Sequence, residues 1–211
     1  MAIFILGMML ANPIFAQNSR KMDVFPVHQQ HYLNSNFTIN ITFSSPTPLI
    51  VIQCDIKYNA SILQVVGIHK GDAFDGWSGD FAPWLLEVDN ENGIIKNIIA
   101  YSPNGTKNGT LVTIEFKGIS TGNSNIQLLN VVAGDRNGIP VDIIIHDGSV
   151  EIVAHPWDVN NDGNVNVLDM IVIAQHWMET PESPNWYPRA DVNNDSVVNV
   201  LDLIIVGQHS G

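Results

Sequence analysis

Two twelve-residue segments near the C-terminal end are near copies of each other: Asp158-Val-Asn-Asn-Asp-Gly-Asn-Val-Asn-Val-Leu-Asp169 and Asp191-Val-Asn-Asn-Asp-Ser-Val-Val-Asn-Val-Leu-Asp202, offset by 33 residues. The match runs on through Gln175-His176 and Gln208-His209. Such self-similarity means two copies of one structural unit, each too small to bury its apolar face alone. Each segment sets oxygen-bearing side chains at positions 1, 3, 5, 9 and 12, the spacing with which an EF-hand-like loop wraps one Ca²⁺. In the first loop the assigned donors are Asp158, Asn160, Asp162, the main-chain carbonyl of Asn164, Asn166 (directly or through water) and Asp169. In the second they are Asp191, Asn193, Asp195, the carbonyl of Val197, Asn199 and Asp202. The apolar residue at position 8, Val165 or Val198, pins each loop to a core.

Charge supports the same reading. From Glu151 onward nine acidic residues face one basic residue, Arg189, in a chain whose net charge is -12. Three carboxylates crowded into each loop repel one another unless a cation offsets them. An acidic surface without a Lys/Arg cluster also argues against nucleic-acid binding.

Two departures from the usual loop have consequences. Position 12 is Asp rather than Glu, one methylene shorter, so bidentate reach requires the outgoing helix to sit closer to the ion. Position 6, where the chain needs a positive φ, is Gly163 in the first loop but Ser196 in the second. That substitution costs on the order of 1 kcal/mol, so the second site is expected to be the weaker.

Each loop leads into an apolar run without proline, Val167 to Trp177 and Val200 to Gln208, which predicts a short helix. Pro156 and Pro188 forbid a helix ahead of either loop. The unit is therefore a loop plus its outgoing helix, and a proline-containing connector, Met178 to Ala190, joins the copies. Two such half EF-hands resemble a dockerin domain covering about residues 157–210, a small all-α duplicated loop-helix module. The resemblance implies two bound calcium ions and a cohesin-bearing protein as partner. It also implies that loop positions 10 and 11, here Val167, Leu168, Val200 and Leu201, face that partner, with either helix able to present the same surface. Simple packing between the two helices is the alternative role for these four residues.

Residues 25–153 change character to short alternating runs bounded by Gly, Asn, Pro and Ser, which signals an all-β sandwich. Predicted strands are Phe37 to Phe43, Leu49 to Tyr58, Ile62 to Ile68, Ile94 to Tyr101, Thr110 to Phe116, Ile126 to Val132 and Gly148 to Val153. Strict alternation sends Ile50, Ile52, Cys54 and Ile56 inward and Val51, Gln53, Asp55 and Lys57 outward. Cys54, the sole cysteine, has no internal partner and is expected to be a buried core residue.

The order of landmarks is similar to that of a cohesin domain over about residues 22–153: Asn36-Phe-Thr-Ile-Asn-Ile, Cys54-Asp-Ile-Lys-Tyr58, Gly71-Asp-Ala-Phe74, Gly109-Thr-Leu-Val-Thr-Ile-Glu-Phe116, Gly122-Asn-Ser-Asn-Ile126 and Gly148-Ser-Val-Glu-Ile152. Where many cohesins carry Asp-Pro after the strand-ending Tyr, this chain has Asn59-Ala60, and the stretch Asp72 to Pro83 is its own. The resemblance implies a jelly-roll sandwich that binds a partner's dockerin on one sheet face. Val51, Gln53 and Tyr101 fall at the implied contact positions, with ordinary solvated strand positions as their alternative role.

The N-terminal stretch Met1 to Ala16 is uncharged and mostly apolar and precedes a polar segment, which reads as a secretory signal peptide cut near Ala16. With it removed, the mature chain is expected to be extracellular or part of a cell-surface complex, without a membrane span. Six Asn-x-Ser/Thr sequons would permit glycosylation of an exported chain. His28 and His31 have metal-like spacing but no accompanying carboxylate pattern, and are expected to lie in solvent.

Two functions are in play. One is a non-catalytic adaptor that accepts a dockerin-bearing protein on its sandwich while its own C-terminal module plugs into a cohesin, building an extracellular assembly of the kind that degrades polysaccharide. The other is a carbohydrate-binding or glycoside-hydrolase sandwich anchored through that module. Scattered tryptophans (Trp77, Trp84, Trp157, Trp177, Trp186) would serve as a sugar platform, and Asp80, Glu87 and Asp89 as acids. No motif pairs those acids across a scissile bond as glycoside hydrolysis requires, so no enzyme activity is expected.

Overall fold

The computed structural model describes residues 19–210; the leader read over Met1 to Ala16 lies outside them. Eleven strands fill residues 21–153: β1 (Lys21–Phe25), β2 (His28–Tyr32), β3 (Asn36–Lys57), β4 (Leu63–Lys70), β5 (Gly76–Trp77), β6 (Glu87–Asp89), β7 (Ile94–Gly118), β8 (Gly122–Asp135), β9 (Pro140–Val141), β10 (Ile144–His146) and β11 (Gly148–Val153). One helical turn, α1 (Ser78–Phe81), interrupts them between β5 and β6. Behind them come α2 (Val167–Gln175), a 3-10 turn (Pro188–Ala190) and α3 (Val200–His209).

The sandwich is organised by one long ribbon folded over on itself. The first half of β3, Asn36 to Ser44, runs antiparallel to Asn108–Lys117 of β7, and the second half, Leu49 to Lys57, runs against Ile94–Thr106. At the fold, β3 carries Pro46 and Pro48, which donate nothing to a ladder, and β7 carries Gly105 and Gly109 at φ +70° and +143°. The two halves thus supply both layers, flanked by β1 and β4 on one and by β8, β5 and β6 on the other.

All seven predicted strands are present. The first half of β3 points Phe37, Ile39, Ile41 and Phe43 into the core, and the second half points Leu49, Ile52, Cys54 and Ile56 into the same core, where Ile114 and Phe116 of β7 meet them. Each such side chain contributes roughly 1.5–3 kcal/mol of burial. Cys54 is wholly buried, and that burial pushes its thiol well above the ordinary range.

Strict alternation fails at two positions for one reason. Ile50 is half-exposed and Leu49 takes the core position, because the register slips between Leu49 and Val51. Asp55, expected in solvent, is buried beside a second slip; it accepts the Asn97 backbone N–H at 2.8 Å and the Asn130 amide at 2.7 Å. Asn97 and Asn130 both hold positive φ, so Asp55 staples irregular points of the two neighbouring strands.

The C-terminal module has its own core of Val159, Val165, Ile173, Ala190, Val198 and Val206, with Trp157, Met170, Trp186 and Tyr187 packed around it. Val165 and Val198, the position-8 residues, lie in that core as expected. No α-helix leads directly into either loop; immediately ahead of the second stands the single 3-10 turn begun by Pro188.

Candidate functional site

Both loops fold into the same web of hydrogen bonds, set by the identical Asx pattern. The carboxylate of Asp158 accepts the backbone N–H groups of Asp162 at 3.0 Å and Gly163 at 2.8 Å. Asp169 accepts those of Asn160 at 3.0 Å and Asn166 at 2.8 Å, while Asp162 accepts that of Asn164 at 2.9 Å. In the second loop Asp191 takes Asp195 and Ser196, Asp202 takes Asn193 and Asn199, and Asp195 takes Val197, at 2.7 to 3.3 Å.

Asp158, Asp169, Asp191 and Asp202 are buried. Among the described residues no Lys, Arg or His forms an ion pair with any of them. Arg189 donates instead to the carbonyls of Asp158 and Val159. Two buried anions per loop, held only by N–H dipoles, leave lone pairs and charge that favour a hard cation. Asp162 is kept below the ordinary carboxylate value by the side-chain amide of Asn160 and then by the backbone N–H of Asn164, so it is ionised at neutral pH. Among the described residues no set of carboxylate, imidazole or thiol groups makes a metal site by itself. A cation here would rest on a mixed set of carboxylate, amide and main-chain oxygens, which is the donor chemistry of Ca²⁺. The residues fit the ion.

Positions 9 and 12 also start the helix. Asn166 and Asn199 are N-caps whose side chains accept the N–H of Leu168 and Leu201, and Asp169 and Asp202 complete capping boxes. Gly163 and Ser196 at position 6 have φ of +88° and +71°, the positive values the loop demands. Ser196 therefore carries the strain inferred for it.

The helices project an apolar face outward. Val167, Leu168, Val200 and Leu201 do not pack between the helices; with Ile171 and Ile204 they stand between 48% and 62% exposed. Ile171 and Ile204 were missed, although they follow the position-10 and position-11 residues at helical spacing and were legible there.

On the sandwich, Val51 and Tyr101 are opposed across β3 and β7, and Gln53 is opposed to Val132 of β8. The three residues expected to share a face therefore do so, and the exposed Val132 joins them. Gly134 lies where a Cβ would approach Val51 to 2.9 Å, so the glycine leaves Val51 room. On the other side Gly76 is opposed to Tyr101, and the Phe81 ring sits 3.8 Å from where a Gly76 Cβ would stand. Phe81 thus borders the same face, and Trp84, three residues on, is 79% exposed. Nothing in the alternation of the strands announced them.

The remaining candidates disperse. His28 is exposed and bonded to Ser149; His31, expected in solvent, is half-buried and stacks on Phe37 at 4.0 Å. Trp77 is buried, Trp157 and Trp186 pack around the module's core, and Trp84 and Trp177 are exposed. Glu87 pairs with Lys96, and Asp89 is occupied by the turn at Glu91 and Asn92.

The cohesin domain model matches residues 26–152, and the dockerin type I domain model matches residues 156–209. No curated protein matches the chain. Among solved structures, a non-cellulosomal cohesin from the hyperthermophilic archaeon Archaeoglobus fulgidus is similar with a TM-score of 0.53 at 15% identity, covering 64% of this chain and 92% of that one. A chain of a type I cohesin-dockerin complex from Clostridium thermocellum is similar with a TM-score of 0.54 at 15% identity, covering 64% and 100%. A chain of a complex between a cohesin and a dockerin from Acetivibrio cellulolyticus reaches 0.51 at 16%, covering 64% and 99%. At these identities the likeness is one of fold.

Proposed function

We propose, from the premise that this chain belongs to the cohesin family over residues 26–152 and carries a type I dockerin domain over residues 156–209, that it is an extracellular two-sided adaptor. Its sandwich accepts a dockerin-bearing protein and its own calcium-loaded dockerin enters a partner's cohesin. Both modules are non-catalytic, and the work of the chain is connection.

The observation that carries this reading is the outward apolar face on α2 and α3. Six aliphatic side chains stand in solvent on a 54-residue domain, although its small core buries other residues of the same helices. Exposed aliphatic residues grouped in this way mark a partner surface. On the sandwich the corresponding surface is Val51, Gln53 and Tyr101, joined by Val132.

Type I dockerin domains typically bind calcium. Here two ions are proposed, one held by Asp158, Asn160, Asp162, the carbonyl of Asn164, Asn166 and Asp169, the other by Asp191, Asn193, Asp195, the carbonyl of Val197, Asn199 and Asp202. Bound calcium supplies positive charge to the buried carboxylates. The protein's part is to order the helix starts through the capping boxes, so that Val167-Leu168 and Val200-Leu201 are presented on rigid turns.

Export through the leader at residues 1–16 agrees with this role. Among the described residues no helix is long and apolar enough to cross a membrane.

The test is capture by the immobilised full chain in calcium. Dockerin-bearing and cohesin-bearing proteins should both be retained, and a double variant, Asp169→Ala with Asp202→Ala, should lose only the cohesin-bearing ones. Retention of the bare chain on insoluble polysaccharide, with neither class of protein captured, would replace this reading with a sugar-binding one.

A further inference from the structure

The two modules touch, and among the described residues the hydrogen bond between them reaches the first calcium loop. The turn between β2 and β3 is held rigidly: Leu33 N–H donates to the carbonyl of Val153, Asn34 N–H to Gly118, and Ser35 N–H and Oγ to Tyr32. From this turn the Asn34 side-chain amide donates to the carbonyl of Gly163 at 2.8 Å, across 129 positions of sequence. Gly163 is position 6 of the first loop; its N–H is held by Asp158 at 2.8 Å and its carbonyl by Asn34. The next carbonyl along, that of Asn164, is the assigned position-7 donor.

Aromatic packing reinforces the contact. Tyr32 stacks on His155 of the linker at 4.3 Å, and Trp157 stacks on His209 at the end of α3 at 3.3 Å, with Tyr32 and Trp157 tilted together at 6.4 Å. The linker that spans the gap is only Ala154-His155-Pro156.

The second loop has no such tie. The side-chain hydrogen bonds of Asn193, Asp195, Asn199 and Asp202 all stay within that loop and its helix start. This bears on the loop glycine that the second copy replaces with Ser196. A Cβ at Gly163 would approach Leu33 Cδ2 to 3.0 Å and Asn34 Nδ2 to 3.1 Å, whereas Ser196 is exposed. Gly163 is required by its φ and by the approach of the sandwich.

We propose that residues 32–35 of the sandwich clamp the first calcium loop from outside, so that Asn34 is a positioning residue for that site and the two docking faces are held in a fixed relative orientation. The helix faces at Val167-Leu168 and Val200-Leu201 remain exposed on the clamped module, so the clamp leaves the adaptor open. The proposal rests on the calcium reading of the loops for the first part and on the inter-module contact alone for the second.

The experiment uses the full chain and calcium itself. Asn34 has φ +65°, so Asn34→Gly removes the amide while keeping the backbone unstrained. Calcium is titrated while the backbone amide resonances of Gly163 and Ser196 report each loop, and ¹⁵N relaxation gives a rotational correlation time for each module. In the wild type one correlation time should describe both modules. Asn34→Gly should weaken calcium at the first loop by about three- to tenfold, the range for one lost hydrogen bond, and leave the second unchanged. Adding Tyr32→Ala should let the modules tumble separately. Unchanged first-loop affinity in Asn34→Gly, or independent tumbling in the wild type, overturns the proposal. If neither amide responds to calcium in the wild type, the calcium reading fails instead. The clamp is then judged by tumbling alone: a shared correlation time lost in the double variant supports it, and independent tumbling refutes it.

Discussion

Asn199 and Asp202 are joined at the start of α3: the Asn199 N–H donates to the Asp202 carboxylate at 2.7 Å, while the Asn199 side chain accepts the N–H of Leu201 at 2.8 Å. Asn166 and Asp169 repeat the arrangement at α2, at 2.8 Å for both bonds. The residues that would hold the ion are therefore the residues that start the helix, so cation binding is expected to be coupled to helix order.

Calorimetry of the full chain with calcium should show two ions bound. EDTA should lower the helical circular dichroism and the protease resistance of residues 157–210 while the strand signal of the sandwich persists. A helical signal and protease resistance indifferent to EDTA would refute the coupling.

Ser196 sits at φ +71° where its first-loop counterpart is glycine. Relieving that strain by Ser196→Gly should tighten calcium at the second loop by up to about 1 kcal/mol, roughly fivefold, with the first loop unmoved. Site-resolved titration reads the change. An unchanged or weaker second site would mean that the loop does not bind in this conformation.

The loops and their helices were legible because a 33-residue repeat shows every essential oxygen twice, and because Asn and Asp at positions 9 and 12 mark a capped helix start. Long strands with clean alternation, such as Phe37 to Phe43, were equally plain. What escaped has no local signature. The slips that expose Ile50 and bury Asp55 are decided by neighbouring strands, at Asn97 and Asn130. The polar edge strands His28–Tyr32 and Glu87–Asp89 lack an apolar period. Asn34 meets Gly163 from another module, and nothing in the composition of either segment anticipates the other.

The duplication also bears on docking. Leu168 and Leu201 occupy equivalent positions on α2 and α3, each half-exposed. If either helix can present the surface, Leu168→Asp or Leu201→Asp alone should leave cohesin affinity within about twofold, since losing one of two equivalent modes halves the statistical weight. The double variant should lose binding by at least a hundredfold, because it places a carboxylate in an apolar contact in both modes. Calorimetry against a cohesin-bearing partner decides. Loss of binding with one single variant and none with the other would assign docking to one helix.

Tyr58 links the sandwich's stability to alkaline pH. Its ring is buried against Phe116, and its hydroxyl donates to Asn90 Oδ1 at 2.6 Å. Burial, helped by the charge of Asp89, raises the phenol from 10.0 to about 12. The folded state thus binds this proton more tightly than the unfolded state does. The resulting stabilisation is fully present below pH about 10 and is lost as pH rises from there through about 12. Tyr58→Phe should flatten that part of the alkaline unfolding profile. At neutral pH it should cost about 1 kcal/mol, because Asn90 Oδ1 keeps the Val65 N–H at 2.8 Å but loses the phenol. Denaturant unfolding at a series of pH values measures both effects. An unchanged slope between pH 10 and 12 in the variant would show that another group carries the alkaline transition.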